Sequence, residues 1–411
     1  MAISAIATST LISFVIHAPW AVPNVYSDIT GSFWGRCWVQ AGSLPYIPTS
    51  TAACDYAFEY PTLSGLILYV ARLFGSDILS FYNAVSAMTL VAGVVVAGGS
   101  WAIARRLGKT LDPLYFLMPT FMIYGIYNFD MFHAAFVVLS ILSFVSGKRS
   151  LSAVFLGLGV DTKLTSVVLL PVFLMEIGPG ANDWAVWKKR ALRVTGINGR
   201  RLVYLAIFAV VVAAVNLPFL LLNYSNFVQG YTFVANFGLE DAWFVWIFQN
   251  PNTWGLAKVF GLGLTGLLLL RVYTLRVSLI PKSALAIAAY LLGTYIYSPQ
   301  LNIVLIPLLA IMDFRHPALY PWDGFNALVI LTWFVSPSYI LGGVCPAAAT
   351  TCPTLAGTWA QLFALLRAGS LAWICVGVAS REGASLTGWF RTLIRRPGAS
   401  LPTVPKTPSS P

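Results

Sequence analysis

A chain of 411 residues in which 58% of side chains are hydrophobic and 9% charged, with a mean hydropathy of +0.77, is neither a soluble globular protein nor one carrying a single membrane anchor. Its formal net charge of +11 is scattered over many short segments rather than gathered in one basic face, so no nucleic-acid partner is expected. An all-α polytopic membrane protein remains.

Crossing a hydrocarbon layer of roughly 30 Å takes about 20 apolar residues. Full-length spans are predicted near residues 3–22, 80–104, 202–222, 252–271, 322–343 and 359–379. Shorter apolar runs lie near 113–127, 129–146, 150–162, 163–177, 283–298 and 301–312, several interrupted by Pro or Gly, and read as tilted, paired or broken helices bordering a cavity. Together they predict about 12 passes. The first run lacks a basic leader and a small-residue cleavage site, and is read as a retained span. Residues 1–380 are expected to form one membrane domain. Residues 381–411 are expected to form a basic, Pro- and Ser-rich cytoplasmic tail without fixed structure.

Basic residues set the orientation. Arg105, Arg106 and Lys109, Lys148 and Arg149, the run from Lys188 to Arg201, Arg271, Arg276 and Lys282, Arg315, and the tail arginines all fall on one side of the predicted spans. Both termini and these loops are therefore expected in the cytoplasm, against anionic membrane lipids, and the loops at 23–60, 223–251 and 344–358 outside. Four of the five cysteines, Cys37, Cys54, Cys345 and Cys352, lie in those outer loops, where disulfides persist; local pairs, 37 with 54 and 345 with 352, are the simplest arrangement. Three histidines without ligand spacing to the cysteines make a metal site unexpected.

The first outer loop holds three carboxylates, Asp28, Asp55 and Glu59, in a chain that carries few. Around and beyond it stand Tyr26-Ser27-Asp28, Gly42-Ser43-Leu44-Pro45-Tyr46, Glu59-Tyr60-Pro61, Asn128-Phe129-Asp130, Leu156-Gly157-Leu158-Gly159 leading to Lys163, Asp241-Ala242-Trp243 and Ser298-Pro299-Gln300. In that order these elements resemble the GT-C glycosyltransferases, in particular the family 87 mannosyltransferases that use polyprenyl-phosphate sugars. The resemblance implies a GT-C-like helical bundle and transfer of mannose or a similar hexose, at the outer face of the plasma membrane, from a polyprenyl-phosphate donor to a lipid or glycan acceptor. It departs from the family after the lysine, where Leu164-Thr165-Ser166 replaces the usual aromatic and Pro. The first loop also lacks an Asp-x-Asp pair, so a divalent metal is in doubt and no cofactor is expected.

The chemistry needs one base for the acceptor proton and one cation for the departing phosphate. Asp28 is the candidate base, because the preceding span fixes its height; the competing reading makes Asp28 or Ser27 the cap of a following helix. Lys163 lies 14 residues beyond Arg149, roughly 21 Å along a helix, in the outer half of the bilayer, where a buried ammonium implies a function. It either holds the donor phosphate or pairs with Asp130 or Asp161, although Asp161, two residues away, does not share its helix face. Arg36 either meets a phosphate or pairs with Asp55 or Glu59. Glu59, Tyr60, Asp130, His133, Asp241 and Gln300 are candidates for sugar or acceptor contact. Against that, Glu59 has a role at the start of a helix that Pro61 enters, and Asp130 and His133 have one as an internal pair. Trp243 and Trp246 suit either a sugar or the membrane interface. The alternative function is a transporter or flippase of a lipid-linked sugar, but no internal repeat is visible, and a site of that kind belongs near the midplane.

Overall fold

Apolar residues without strand-like alternation make helices the regular structure that satisfies the backbone in lipid; the computed structural model describes residues 1–21, 25–47, 58–177, 199–345 and 352–384, and among these the regular structure is helical, with three isolated β-bridges. In chain order the helices are α1 (Ala2–Ile16), α2 (Asp28–Gly35), α3 (Cys37–Ala41), α4 (Thr62–Arg72), α5 (Ile78–Arg106), α6 (Pro119–Tyr124), α7 (Asp130–Val145), α8 (Arg149–Thr162), α9 (Leu169–Glu176), α10 (Gly199–Leu222), α11 (Tyr224–Asn236), α12 (Trp254–Thr274), α13 (Leu279–Gly293), α14 (Leu305–Ile311), α15 (Leu319–Ile330) and α16 (Trp359–Arg381). The helices at Ile78–Arg106, Gly199–Leu222, Pro251–Thr274 and Trp359–Arg381 are each long and apolar enough to cross a membrane. The rest of the bundle consists of shorter pieces, as expected from the Pro and Gly interruptions.

Contacts at the helix ends define two faces of the bundle. At one, Lys282 pairs with Glu176, Arg315 with Asp112, and Arg381 donates to the Asp313 carbonyl, so the loops joining α5 to α6, α12 to α13 and α14 to α15 meet there. At the other, Tyr82 donates to the Phe14 carbonyl and Ser13 to that of Ile123, which puts the end of α1 beside the start of α5 and the end of α6. The chain runs back and forth between these faces as a multi-pass membrane protein. The described basic loop residues Arg105, Arg106, Lys109, Lys148 and Arg149 share the first face with Lys282 and Arg315. Arg72 and Lys258 are exceptions at the opposite face, and both donate to backbone carbonyls, Arg72 to Val39, Gln40 and Gly75, Lys258 to Ala235.

Several predicted boundaries move. The first span ends as helix at Ile16 rather than near 22, and the span predicted at 322–343 becomes α15 followed by a π-turn at Leu331–Val335. The run at 113–127 breaks at Met118, whose extended backbone precedes Pro119, as the residue before a proline prefers. Helix α4 is not a crossing. Ser64 at its start bonds the Thr162 carbonyl, and Arg72 at its end binds the α3 segment, so both of its ends lie at the second face. Cys345 and Cys352 form a disulfide and Cys37 is also disulfide-bonded; Cys54, its expected partner, lies outside the described residues, as do Asp55 and the tail from 385. Cys375 is free and buried.

Candidate active site

The second face gathers the polar residues. Ser27, extended and buried, accepts from the amide of Ile29 and donates to the carbonyls of Ile126 and Tyr127. It therefore caps α2 and ties it to the turn before α7. The cap is Ser27 and not Asp28, which leaves the Asp28 carboxylate for other partners. Its amide donates to Tyr127 O at 3.0 Å, and its Oδ2 accepts from the Tyr60 hydroxyl at 2.6 Å and from Asn128 Nδ2 at 2.8 Å. Burial pushes the Asp28 carboxyl up to about 7, against the Tyr60 hydrogen bond, which lowers it, and with the nearby Glu59 charge raising it further. A carboxyl so placed exchanges its proton near neutral pH, as a general base requires.

Tyr60 links this carboxylate to a cation. Lys163 Nζ lies 5.7 Å from the centre of the Tyr60 ring and donates to Asp130 Oδ2 at 2.8 Å. Lys163 ends α8 with an extended backbone, so the lysine turns off the helix at the height of Asp28. Of the two partners considered for it, Asp130 is the one observed. Asp161 instead accepts from Asn216 Nδ2 at 2.6 Å, and Asn216 accepts from Thr62, which fastens the start of α4 and hence Glu59 and Tyr60. The Asp130–His133 pair is not formed. Both His133 ring nitrogens and Asp130 Oδ1 are buried without a hydrogen-bond partner among the described residues.

Arg36, at the end of α2, forms an ion pair with Glu59 and lies 5.8 Å from the Phe58 ring centre. With Tyr26, Asp28, Gly31, Ser32 and Gly35 these two line a cavity of about 90 Å³. Glu59 is therefore a partner of Arg36, and the α4 cap is Pro61, which offers no side-chain bond and stands before the helix rather than in its first turn. Gln300 is buried in the 3₁₀-helix Pro299–Val304. Trp243 and Trp246 donate their indole N–H groups to the carbonyls of Leu292 and Gln361, a structural use. No three His, Cys, Asp or Glu side chains among the described residues converge as metal ligands.

Asp241 faces away from this cluster. Its φ is +52°, a left-handed conformation that reverses the chain, and its buried carboxyl meets Gln361 Nε2 at 3.4 Å. The preceding Glu240 is the residue within electrostatic reach of Asp28 and Lys163. Asn128, Glu240 and Arg367 are the functional candidates that reading the sequence did not select. Asn128 had a signal, since it opens the Asn-Phe-Asp element; Glu240 had only its place beside Asp241.

No protein-family model matches the chain, and no curated protein matches it. Among solved structures it is similar to ArnT from Cupriavidus metallidurans, in a crystal structure bound to undecaprenyl phosphate, at 14% identity and a TM-score of 0.46, over 92% of this chain and 76% of that one.

Proposed function

We propose that this protein is a membrane-embedded glycosyltransferase that moves a hexose, mannose or a close relative, from a polyprenyl-phosphate carrier to a hydroxyl of a lipid or glycan acceptor. One observation carries the reading. A buried carboxylate, Asp28, is oriented by Tyr60 and Asn128 beside a polar cavity, with the Lys163 ammonium over the ring of the same tyrosine. As the acceptor oxygen bonds to the anomeric carbon, the bond from that carbon to the phosphate oxygen breaks. Asp28 takes the acceptor proton, and the carrier leaves as a phosphate whose charge Lys163 offsets. Arg36, paired with Glu59 at the cavity wall, is the second cation available to that phosphate.

The unpartnered atoms of His133 and Asp130 beside Lys163, and the buried Gln300, offer hydrogen bonds to substrate hydroxyls. The basic loops crowd the opposite face, so the rule that Lys and Arg stay cytoplasmic puts both termini inside and the cluster at the outer surface of the plasma membrane. Placement of the cluster at one face rather than at mid-membrane supports transfer over transport. The test is reconstitution in vesicles with a labelled polyprenyl-phosphate hexose and candidate acceptors. Covalent transfer that requires Asp28 supports the reading; movement of intact donor across the bilayer without transfer sinks it.

A further inference from the structure

Resting on that reading, we infer that Glu240 is a second substrate-facing carboxylate, which binds hydroxyls of the sugar carried by the donor, and that Arg367 is the positioning residue that sets it there. Residues around Glu240 are held as a short parallel pair against the segment before α14: the Glu240 amide donates to Tyr295 O at 3.0 Å and the Tyr297 amide to Glu240 O at 2.8 Å. Ser298 donates to Glu240 Oε1 at 2.6 Å, which orients the carboxylate and leaves Oε2 without a described hydrogen bond. The next residue turns the chain through its positive φ, so Glu240 and Asp241 point to different surroundings.

Arg367 explains why that turn is stable. It is fully buried within α16, donates to Tyr297 O at 2.6 Å, to Asp241 O at 3.2 Å and to Asn326 Oδ1 at 2.9 Å, and stacks on the Tyr297 ring at 3.7 Å. Its rigid fork thus clamps both strands of the short pair, one residue on from Glu240 in one strand and one before Ser298 in the other. Asn326 is in turn fixed by Thr120 and the Pro299 carbonyl. The loop that carries Glu240 is thereby anchored to the 295–298 segment and to α16, and through Arg367 and Asn326 to α15 and Thr120.

The Pro299–Val304 turn, which directly follows the Ser298 partner of Glu240, packs against α7, whose first residue Asp130 holds Lys163, so Glu240 comes within electrostatic reach of Lys163 from a different loop than Asp28. Lys163 is the phosphate contact in the proposed reaction and Asp28 the acceptor-side base. A carboxylate on the other loop, near the same ammonium, therefore falls next to the sugar joined to that phosphate, where paired hydroxyls are the donors a carboxylate accepts from.

The experiment measures binding of two probes to purified protein in nanodiscs: undecaprenyl-phosphate mannose, and undecaprenyl phosphate without a sugar. Glu240→Gln keeps an acceptor for Ser298 and removes the charge. It should weaken the sugar-bearing probe about 10- to 100-fold and leave the sugarless one within about twofold. Glu240→Asp, which retains charge but withdraws it, should show the same selective loss, and so should Arg367→Lys. Equal losses for both probes, or none for either, in the variant that retains the wild-type melting temperature would overturn the assignment. A wild-type protein that binds the two probes equally would instead count against the donor reading itself, which keeps the two failures distinct.

Discussion

Asp28 is asked to do two things that burial sets in opposition. Removed from water, it holds its proton up to about 7, and a base must give that proton up before it accepts another. The rate should therefore rise with pH through about 7 as the carboxylate forms. Tyr60→Phe removes a hydrogen bond that favours the charged form, so the rising limb of the pH profile should move to higher pH; an unmoved limb would remove Asp28 from that titration. The sign for stability is opposite. The folded state holds the proton above the unfolded value, so stability is lost as pH rises from about 4 through 7. Lys163 needs a variant that respects its partner, because deleting one member of a buried pair typically costs about 3–5 kcal/mol. The double change Lys163→Gln, Asp130→Asn leaves no bare charge and should weaken donor binding about 10- to 100-fold with the melting temperature largely kept. Undiminished affinity in that variant would exclude phosphate contact. Asp28, Lys163, Arg36 and Glu59 were legible as single residues because charges are rare in this chain, and Tyr60 through the Glu59-Tyr60-Pro61 element. The pairs Lys163–Asp130 and Arg36–Glu59 stood among the alternatives, but the partners of Asp28 did not: Asn128 and Tyr60 meet it from 100 and 32 positions away, and no local pattern encodes such a meeting.

Among the elements, α4 and α11 decide where Glu59 and Tyr60 stand. Helix α4 is held by Thr62 to Asn216, by Ser64 to Thr162 O and by Arg72 to the α3 segment. Helix α11 closes over the chain ahead of α4, with Asn226 donating to Tyr46 O. Gly230 permits that closure, since a Cβ there would lie 2.2 Å from the Phe58 carbonyl oxygen, a backbone atom that cannot swing aside. Gly230→Ala should cost about 1–3 kcal/mol by overpacking and displace Tyr60 from Asp28. A drop in melting temperature with a parallel loss of turnover is expected; an unchanged protein would show that α11 does not brace the site. Element order was legible from hydropathy and from Pro and Gly breaks. The surface course of α4 was not, because it is set by distant contacts, Ser64 with Thr162 O at one end and Arg72 with the α3 segment at the other.

At the scale of the whole molecule the bundle has two faces of opposite character, basic loops at one and the Asp28, Lys163 and Glu240 cluster at the other. If the basic face is cytoplasmic, a thiol label that cannot cross membranes should reach Ser43→Cys in intact cells and fail to reach Lys109→Cys until the membrane is opened. The reverse pattern would put the cluster inside and remove the lipid-linked donor of the outer leaflet from the mechanism. The gathering of basic loops on one face was legible in the sequence, with Arg72 and Lys258 as exceptions that backbone carbonyls absorb. The joining of three loops into one cluster was not, since it depends on how the crossings pack. The most direct test of the central claim is single-turnover transfer of labelled hexose from its polyprenyl phosphate by wild-type protein and by Asp28→Asn in the same vesicles. Wild type should transfer the hexose, and the variant should lose about 10²- to 10⁴-fold in rate with donor binding retained. Equal rates for the two proteins would contradict the claim.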